Sequence, residues 1–185
     1  MKTRDLAAAV VFAALAAVVN FLLRVPAPFA TFLYYQLWEI PILTAFFLFG
    51  TTVLIFVTGV NLVILFAFFQ GNSPLGPVYW LVAWLSMMAG IGLIKILLDR
   101  RAIKNATATV ILFTASGTVF RTAIMSIVNY SVLRFPPPVG FSLPEVVIIG
   151  YVPLIALFNA TLALYTIPSS YTLAQIVSRR FKAFK

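Results

Sequence analysis

The feature that most constrains this chain is a series of long apolar stretches that contain no charged side chain. Residues 6–23 give 18 consecutive positions without a charge, and residues 40–69 give 30. A helix needs about 20 apolar residues to cross the hydrocarbon core of a bilayer. Only 9% of the 185 residues are charged and 63% are hydrophobic, whereas soluble domains average about 25% charged residues. The sequence therefore predicts an integral membrane protein.

The apolar stretches predict an all-α bundle of six membrane-spanning helices in one domain that covers residues 1–185. The predicted spans are residues 6–23, 40–50, 53–69, 78–98, 107–132 and 146–167. The turn signal Gly50-Thr51-Thr52 divides the second apolar stretch into two unusually short helices. Pro168 is expected to break or kink the last helix, because proline removes a backbone hydrogen bond from the helix.

The basic residues decide between five and six spans, because Lys and Arg collect in the short cytoplasmic loops of membrane proteins. With six spans and both termini in the cytoplasm, Arg24 and Arg134 lie outside and Arg121 falls within a span. The ten basic residues then placed inside are Lys2, Arg4, Lys95, Arg100, Arg101, Lys104, Arg179, Arg180, Lys182 and Lys185. With five spans and the N-terminus inside, the basic loop at Arg100 and the basic C-terminal tail would both lie outside. We therefore predict six spans in the cell (plasma) membrane, with both termini cytoplasmic.

The residue types that the sequence lacks exclude several kinds of chemistry. Without Cys or His, the chain has no disulfide, no Cys/His zinc site, no His-ligated haem and no nucleophile activated by His. The four acidic residues argue against a carboxylate metal site or a paired-carboxylate hydrolase. Because basic residues mark the cytoplasmic ends of membrane helices, the net charge of +9 does not indicate nucleic-acid binding. We expect no catalytic residues, no metal and no cofactor.

A stripe of alanines runs along the first span. Ala9, Ala13 and Ala17 recur at every fourth position, so they share one face of the helix. Small side chains let another helix approach closely, and membrane helices associate mainly through such packing because lipid gives no hydrophobic drive. The stripe has two interpretations, packing within the bundle or docking on a partner membrane protein.

Polar side chains within the spans are candidates for ligand binding, since such groups face protein or a cavity. Arg121 and Asn129 share one face of the fifth span, Asn159 lies in the sixth span, and Asn61 lies in the third. A mid-span charge costs about 2.5–3.5 kcal/mol on insertion scales, so Arg121 requires an anion, backbone carbonyls or a water-filled pocket. For each amide, the alternative role is a hydrogen bond between helices.

The first outer connection, residues 24–39, is more apolar than an external loop requires. Phe32, Tyr34 and Trp38 are among its aromatic residues, and Glu39 stands at its end. Aromatic residues are common at membrane interfaces, which is one explanation for them. The other is that the loop folds back over a pocket and covers a flat aromatic ligand. These four residues are therefore further candidates for substrate binding.

Several segments of the chain match one family of membrane proteins. They are residues 24–33, Ile40-Pro41 and Phe47-Leu48-Phe49-Gly50. This pattern resembles the substrate-binding (S) components of energy-coupling-factor (ECF) vitamin transporters. The stripe of Ala9, Ala13 and Ala17 is similar to the Ala-x-x-x-Ala signature by which the first helix of that family docks on its coupling subunit. Residues 125–133 and 153–159 resemble segments of the riboflavin-specific branch.

The resemblance implies a membrane subunit that binds riboflavin from outside, with the vitamin as transported ligand. It also implies a coupling transmembrane subunit and two cytoplasmic ATPase subunits as partners. In agreement, the sequence contains no Gly-x-x-x-x-Gly-Lys-[Ser/Thr] phosphate loop. The alternatives are an S component for a different vitamin or small molecule, a solitary secondary transporter, and an intramembrane enzyme. The absence of His and Cys argues against the enzyme.

Overall fold

Six helices and two short strands make up the part of the chain that the structure describes. This computed structural model describes residues 2–23, 25–68, 74–101 and 105–180, without the side chains of residues 30–32. The elements are α1 (Thr3–Leu22), β1 (Val25–Ala27), β2 (Ala30–Tyr35), α2 (Glu39–Phe49), α3 (Thr51–Phe68), α4 (Gly76–Arg100), α5 (Ala106–Val132) and α6 (Glu145–Arg180). The predicted helical architecture is confirmed. Arg24, Lys104, Lys182 and Lys185, used above to assign orientation, lie outside the described residues.

Five of the described helices, α1, α3, α4, α5 and α6, are long and apolar enough to cross a membrane. Many of their large apolar side chains are exposed, among them Ile55 at 67% and Val119 at 63%, as expected for surfaces that face lipid. α2 differs from the others, since its 11 residues extend about 16 Å and the hydrocarbon core is about 30 Å thick. The second helix is therefore short, as predicted, whereas α3 has 18 residues and is of ordinary span length.

The first outer connection contains a two-stranded sheet, which the sequence analysis does not predict. β1 pairs with β2 through a turn at Pro28 and Phe29. Pairing two strands satisfies backbone hydrogen bonds locally, which matters for an apolar segment at the edge of a membrane. Tyr34 lies in β2 and is 37% exposed, whereas the side chain of Phe32 lies outside the described residues.

A glycine separates α2 from α3, as predicted from the turn signal. Gly50 has a φ of +85°, in a region of backbone conformation that residues with a side chain rarely adopt. Its N–H donates a hydrogen bond of 2.8 Å to the carbonyl of Phe46, and its own carbonyl accepts one of 3.2 Å from Leu54. Gly50 thereby ends one helix and begins the next without an intervening loop.

Helix α6 continues through Pro168, so the expected break of the helix at this residue is wrong, whereas a kink there stays a prediction. Its 36 residues extend about 54 Å, so it is longer than the hydrocarbon core. Proline removes only one N–H from the helix, and the remaining backbone groups have no water to bond with inside a bilayer. The helical conformation therefore persists on both sides of Pro168. The basic residues Arg179 and Arg180 form its last turn.

The contacts divide the chain into two compact units. Unit 1 comprises Met1–Val25, Tyr34–Phe68 and Tyr165–Lys185, and unit 2 comprises Pro26–Leu33 and Phe69–Leu164. In unit 1, α1, α2 and α3 pack against one another. Aromatic rings meet edge to face at these contacts, at 6.0 Å between Phe12 and Phe49 and 5.5 Å between Phe21 and Phe68. The single domain predicted from the sequence stays a prediction.

In unit 2, α4 and α5 approach each other closely at a glycine. The hydroxyl of Ser116 donates a hydrogen bond of 2.9 Å to the carbonyl of Gly90. A Cβ atom added at Gly90 would lie 2.6 Å from the carbonyl oxygen of Ser116, which is closer than atoms can pack. Small residues at such crossings allow the backbones of membrane helices to come together. The absence of a side chain at Gly90 therefore sets the distance between α4 and α5.

The predicted orientation can be tested by labelling single cysteines, because the natural sequence contains no Cys. Val139 is 39% exposed in the connection between α5 and α6, and Arg101 is exposed at the end of α4. We expect Val139→Cys to react with a membrane-impermeant thiol reagent added to intact cells, because this connection lies outside when the basic termini lie inside. Arg101→Cys should react only after the cells are permeabilised. Labelling of Arg101→Cys in intact cells would overturn the six-span orientation.

Candidate functional site

A buried polar pair joins α5 and α6 in unit 2. The Nε of Arg121 donates a hydrogen bond of 3.2 Å to Oδ1 of Asn159. Both side chains are buried, with 1% exposure for Arg121 and 3% for Asn159. The Nη1 of Arg121 also lies 3.7 Å from the sulfur of Met87 on α4. The structure thus brings together two residues that the sequence analysis selects, and adds a third helix to their surroundings.

The hydrogen bonds of Asn159 leave part of its amide free for a ligand. Its Oδ1 accepts from Arg121, and its Nδ2 donates 2.9 Å to the carbonyl of Ile155. A primary amide has two N–H groups and two lone pairs on its oxygen. Within the described part of the chain, one N–H and one lone pair of Asn159 therefore remain. Such a group can donate to and accept from the same polar edge of a small molecule.

A residue of the first outer connection packs against an apolar cluster near this amide. Leu33 packs against a cluster of Leu133, Ile148 and Ile155, where α5 ends and α6 begins. Because the carbonyl of Ile155 accepts from Asn159, this member of the cluster lies about one helical turn from the polar pair. A residue of the first outer connection therefore covers this region of unit 2. The predicted folding of the connection over a ligand pocket stays a prediction.

Two threonines on the same face of α5 were not selected from the sequence. Thr118 and Thr122 lie within one turn of Arg121, and their hydroxyls are buried without a hydrogen-bond partner among the described residues. The signal that could have found Thr118 is helical spacing, since it lies three positions before Arg121 and residues three or four positions apart share a face. Thr122 in turn lies four positions after Thr118. Met87 carried no such signal, because its contact with Arg121 depends on how α4 packs against α5.

Asn129 is in a different environment, two turns beyond Arg121 on α5. Its Nδ2 donates a hydrogen bond of 2.7 Å to the carbonyl of Met125, and the side chain is half-buried. This bond occupies one of its two N–H groups and fixes the direction of the amide. A ligand role for Asn129 stays a prediction.

The remaining candidates, Trp38, Glu39 and Asn61, lie in unit 1. Trp38 precedes the first turn of α2, and Glu39 begins it, with 5% and 0% exposure. An acidic side chain in the first turn interacts favourably with the dipole of the helix. Asn61 is 0% exposed in α3, and neither atom of its amide has a hydrogen-bond partner in the part of the chain that the structure describes. A buried amide of this kind in a membrane helix is a candidate for binding a ligand or water.

The alanine stripe lies at a groove between α1 and α3 in unit 1. Ala9 and Ala13 are buried, with 0% and 6% exposure, and Ala17 is partly buried. The groove has a volume of about 250 Å³ and is apolar throughout. Its lining residues are Ala9, Val10, Ala13, Ala14, Ala17, Phe56, Val60 and Ile64. The stripe therefore packs against α3 and also leaves an open apolar surface.

Comparison with known proteins identifies a similar solved structure but no similar sequence family. Neither a family model nor a curated protein sequence matches this chain. Among solved structures, the chain is similar to the S component of a bacterial ECF transporter, with a TM-score of 0.66 and 22% sequence identity. The similarity covers 100% of this chain and 98% of the other. This multi-helix membrane chain thus has the fold of an ECF S component.

Proposed function

We propose that this protein is the substrate-binding membrane subunit of an ECF-type importer and that its ligand is riboflavin. The observation that carries the proposal is the similarity to an S component over the whole chain, joined to the buried pair of Arg121 and Asn159. The subunit binds its ligand from outside and has no catalytic role. A coupling transmembrane subunit and two cytoplasmic ATPase subunits supply the energy for uptake across the cell membrane.

The polar chemistry of unit 2 supports a flavin as the ligand. The pyrimidine edge of the flavin ring has a hydrogen-bond donor next to acceptors. A side-chain amide can accept a hydrogen bond from this donor and donate one to a neighbouring acceptor. Asn159 retains one N–H and one lone pair for this purpose, and Asn129 is a second amide near the outer end of α5. Leu33 and its apolar neighbours would shield the ring from water.

Purification from flavin-containing cells tests the proposal directly. We expect the isolated protein to be yellow and to release riboflavin on denaturation, identified by mass spectrometry. Added riboflavin should quench tryptophan fluorescence, because the chain has three tryptophans and two of them, Trp80 and Trp84, are stacked in unit 2. A colourless protein that releases another vitamin would refute riboflavin and retain the transport role. Ligand uptake by liposomes that contain this subunit alone would instead support a secondary transporter.

The groove between α1 and α3 supports docking of the coupling subunit. Ala14 lines the groove and is exposed, so a larger side chain there would fill the groove without entering the contact between the two helices. We expect Ala14→Leu to lower co-purification of the coupling subunit severalfold, because the added side chain holds the partner helix away. Riboflavin binding in detergent should be unchanged.

Two further variants complete this test. Ala7→Leu is the matched control, since Ala7 is exposed on α1 and does not line the groove. Ala13→Leu should impair both assembly and folding, because Ala13 is only 6% exposed. If Ala14→Leu and Ala7→Leu assemble equally well, the groove is not the docking surface.

A further inference from the structure

Two hydroxyl groups in the middle of α5 are buried and have no hydrogen-bond partner among the residues that the structure describes. They belong to Thr118 and Thr122 of unit 2. Both lie about 15–21 Å along the helix from Val132, where α5 ends. A buried polar group without a partner is unfavourable, and more so within a membrane, where water does not replace the partner. The two hydroxyls therefore indicate a binding partner other than the described chain.

Other helical threonines of this protein satisfy their hydroxyls within the helix. Thr114 and Thr161 donate hydrogen bonds of 2.7 and 2.9 Å to the backbone carbonyl four positions earlier. A threonine in a helix commonly makes this bond. Thr118 and Thr122 make no such bond with the described residues, although both lie in the interior of α5. Their hydroxyls are therefore available for a different partner.

Thr118 and Thr122 lie close enough together for one segment of a ligand to contact both hydroxyls. They are four positions apart on one helix, so their Cβ atoms are about 5–6 Å apart on the same face. A hydrogen bond joins two hydroxyl oxygens at about 2.7–2.8 Å. A single ligand oxygen between the two side chains, or two neighbouring oxygens of one chain, can therefore bond to both. This spacing is set by α5 alone.

The two threonines belong to a line of residues along one side of α5. The members of this line are Thr118, Thr122, Met125 and Asn129. At 100° for each residue, they fall within an arc of about 60° around the helix axis. Met125 is 6% exposed and separates the hydroxyls from the amide of Asn129. A ligand that lies along this side of α5 meets hydrogen-bonding groups at both ends and an apolar side chain between them.

We propose that Thr118 and Thr122 form an inner subsite that binds the hydroxyl-bearing side chain of the transported flavin. The inference rests on the proposed function, which assigns the pyrimidine edge of the ring to the amides of Asn129 and Asn159. The polar part of riboflavin that then remains is its chain of hydroxyl groups. A threonine hydroxyl and a ligand hydroxyl can each donate and accept, so that they pair in either direction. Both threonines are thereby assigned as specificity-determining residues.

The subsite lies at the same level of unit 2 as the buried polar pair. Arg121 directly precedes Thr122 and lies three positions after Thr118, and its Nε donates to Oδ1 of Asn159. Side chains in a helix lean towards its N-terminus, so the side chain of Arg121 leans towards the turn that contains Thr118. The amide that meets Arg121 is therefore near this turn. One flavin molecule is long enough to contact both the amide and the threonines.

Two flavins distinguish the subsite from the rest of the ligand site, since lumiflavin has a methyl group where riboflavin has its hydroxyl chain. We expect the natural protein to bind riboflavin more tightly than lumiflavin. Thr118→Val and Thr122→Val should each weaken riboflavin binding by about three- to tenfold, the usual effect of losing one hydrogen bond. Lumiflavin binding should be unchanged. Both affinities can be measured in detergent from the fluorescence of the flavin itself.

The controls separate this role from a structural one. Thr114→Val is the matched control, because Thr114 lies on the same helix and its hydroxyl bonds within that helix. It should affect the two flavins equally. Thr118→Ser keeps the hydroxyl and should retain the preference for riboflavin. The unfolding temperatures of ligand-free Thr118→Val and Thr122→Val should be unchanged or raised, because an unpartnered hydroxyl has been removed.

Four outcomes would overturn the inference. An equal loss for riboflavin and lumiflavin would mean that the substitutions act through folding. Unchanged riboflavin binding in both valine variants would mean that ordered water satisfies the two hydroxyls. Equal affinities of the natural protein for the two flavins would mean that the hydroxyl chain is not recognised. These three outcomes leave riboflavin transport standing. If the natural protein binds neither flavin, the proposed function itself fails, and the subsite fails with it.

Discussion

Asn159→Ala is expected to lower both the stability of the protein and its affinity for riboflavin. The substitution removes the acceptor for the Nε of Arg121, whose side chain is 1% exposed. Losing a hydrogen bond to a buried charged group typically lowers the free energy of unfolding by about 1.5–3 kcal/mol. The amide is also the proposed partner of the flavin ring, so binding should weaken by about 1–3 kcal/mol, or about 5- to 150-fold in Kd. Thermal unfolding in detergent and riboflavin titration measure the two effects separately.

Two other asparagines serve as comparisons for Asn159→Ala. Asn129→Ala should weaken riboflavin binding with a smaller loss of stability, because Asn129 is half-buried and bonds only to a backbone carbonyl of its own helix among the described residues. Asn105 is exposed and caps α5 by accepting from the N–H of Ala108, so Asn105→Ala should lower stability by about 1 kcal/mol. Its riboflavin affinity should be unchanged. Equal riboflavin affinity in all three variants would refute the role of the amides.

Gly90→Val is expected to disrupt unit 2 more than any substitution on its lipid-facing surfaces. Its Cβ would lie 2.6 Å from the carbonyl oxygen and 2.9 Å from the carbonyl carbon of Ser116, so α4 and α5 would have to move apart. Their separation would break the hydrogen bond from the Ser116 hydroxyl to the Gly90 carbonyl. Overpacking alone typically lowers stability by about 1–3 kcal/mol, and the lost hydrogen bond adds about 1 kcal/mol. We therefore expect a clear fall in the unfolding temperature and weaker riboflavin binding, since Met87 and Arg121 lie on these helices.

Gly92 provides the matched control for this substitution. It lies two positions along the same helix, and a Cβ there would meet no atom within 4 Å. Gly92→Ala should leave the protein as stable or stabilise it by up to about 1 kcal/mol, because alanine favours helix more than glycine does. An unfolding temperature for Gly90→Val equal to that of Gly92→Ala would show that the close approach of α4 and α5 does not support the fold.

The helices were largely predictable because a bilayer imposes their length and apolarity. The predicted span at residues 107–132 and the observed α5 differ by one residue at the start, and the turn at Gly50 was located correctly. The hairpin of β1 and β2 was not predicted, since its two strands are short and the aromatic residues of β2 also suit a membrane interface. Of the two effects expected at Pro168, the break of α6 was wrong, because the breaking effect of proline is weaker where backbone groups cannot bond with water.

The candidate site was predictable only in part. A polar side chain within an apolar span is energetically costly and therefore faces protein or a cavity. This cost allowed three residues to be selected from the sequence, Arg121, Asn159 and Asn61. The other residues discussed above could not be selected in the same way, because nothing in the sequence distinguishes them from similar residues. Met87 is one of many apolar residues, and Thr122 looks like a threonine that bonds within its own helix until its surroundings are known. Such distinctions depend on which direction each helix face points.

By itself, the sequence determined that this chain is a helical membrane protein, that it lacks the residues for most catalysis, and roughly which segments form its helices. These properties follow from composition and spacing, which act on each segment separately. The tertiary structure alone decided that Arg121 meets Asn159, 38 positions away, that Gly90 lies against Ser116, and that Thr122 is left without a bond in its helix. These contacts depend on the rotation and separation of packed helices, and a rotation of one residue, about 100°, would turn each of these side chains elsewhere.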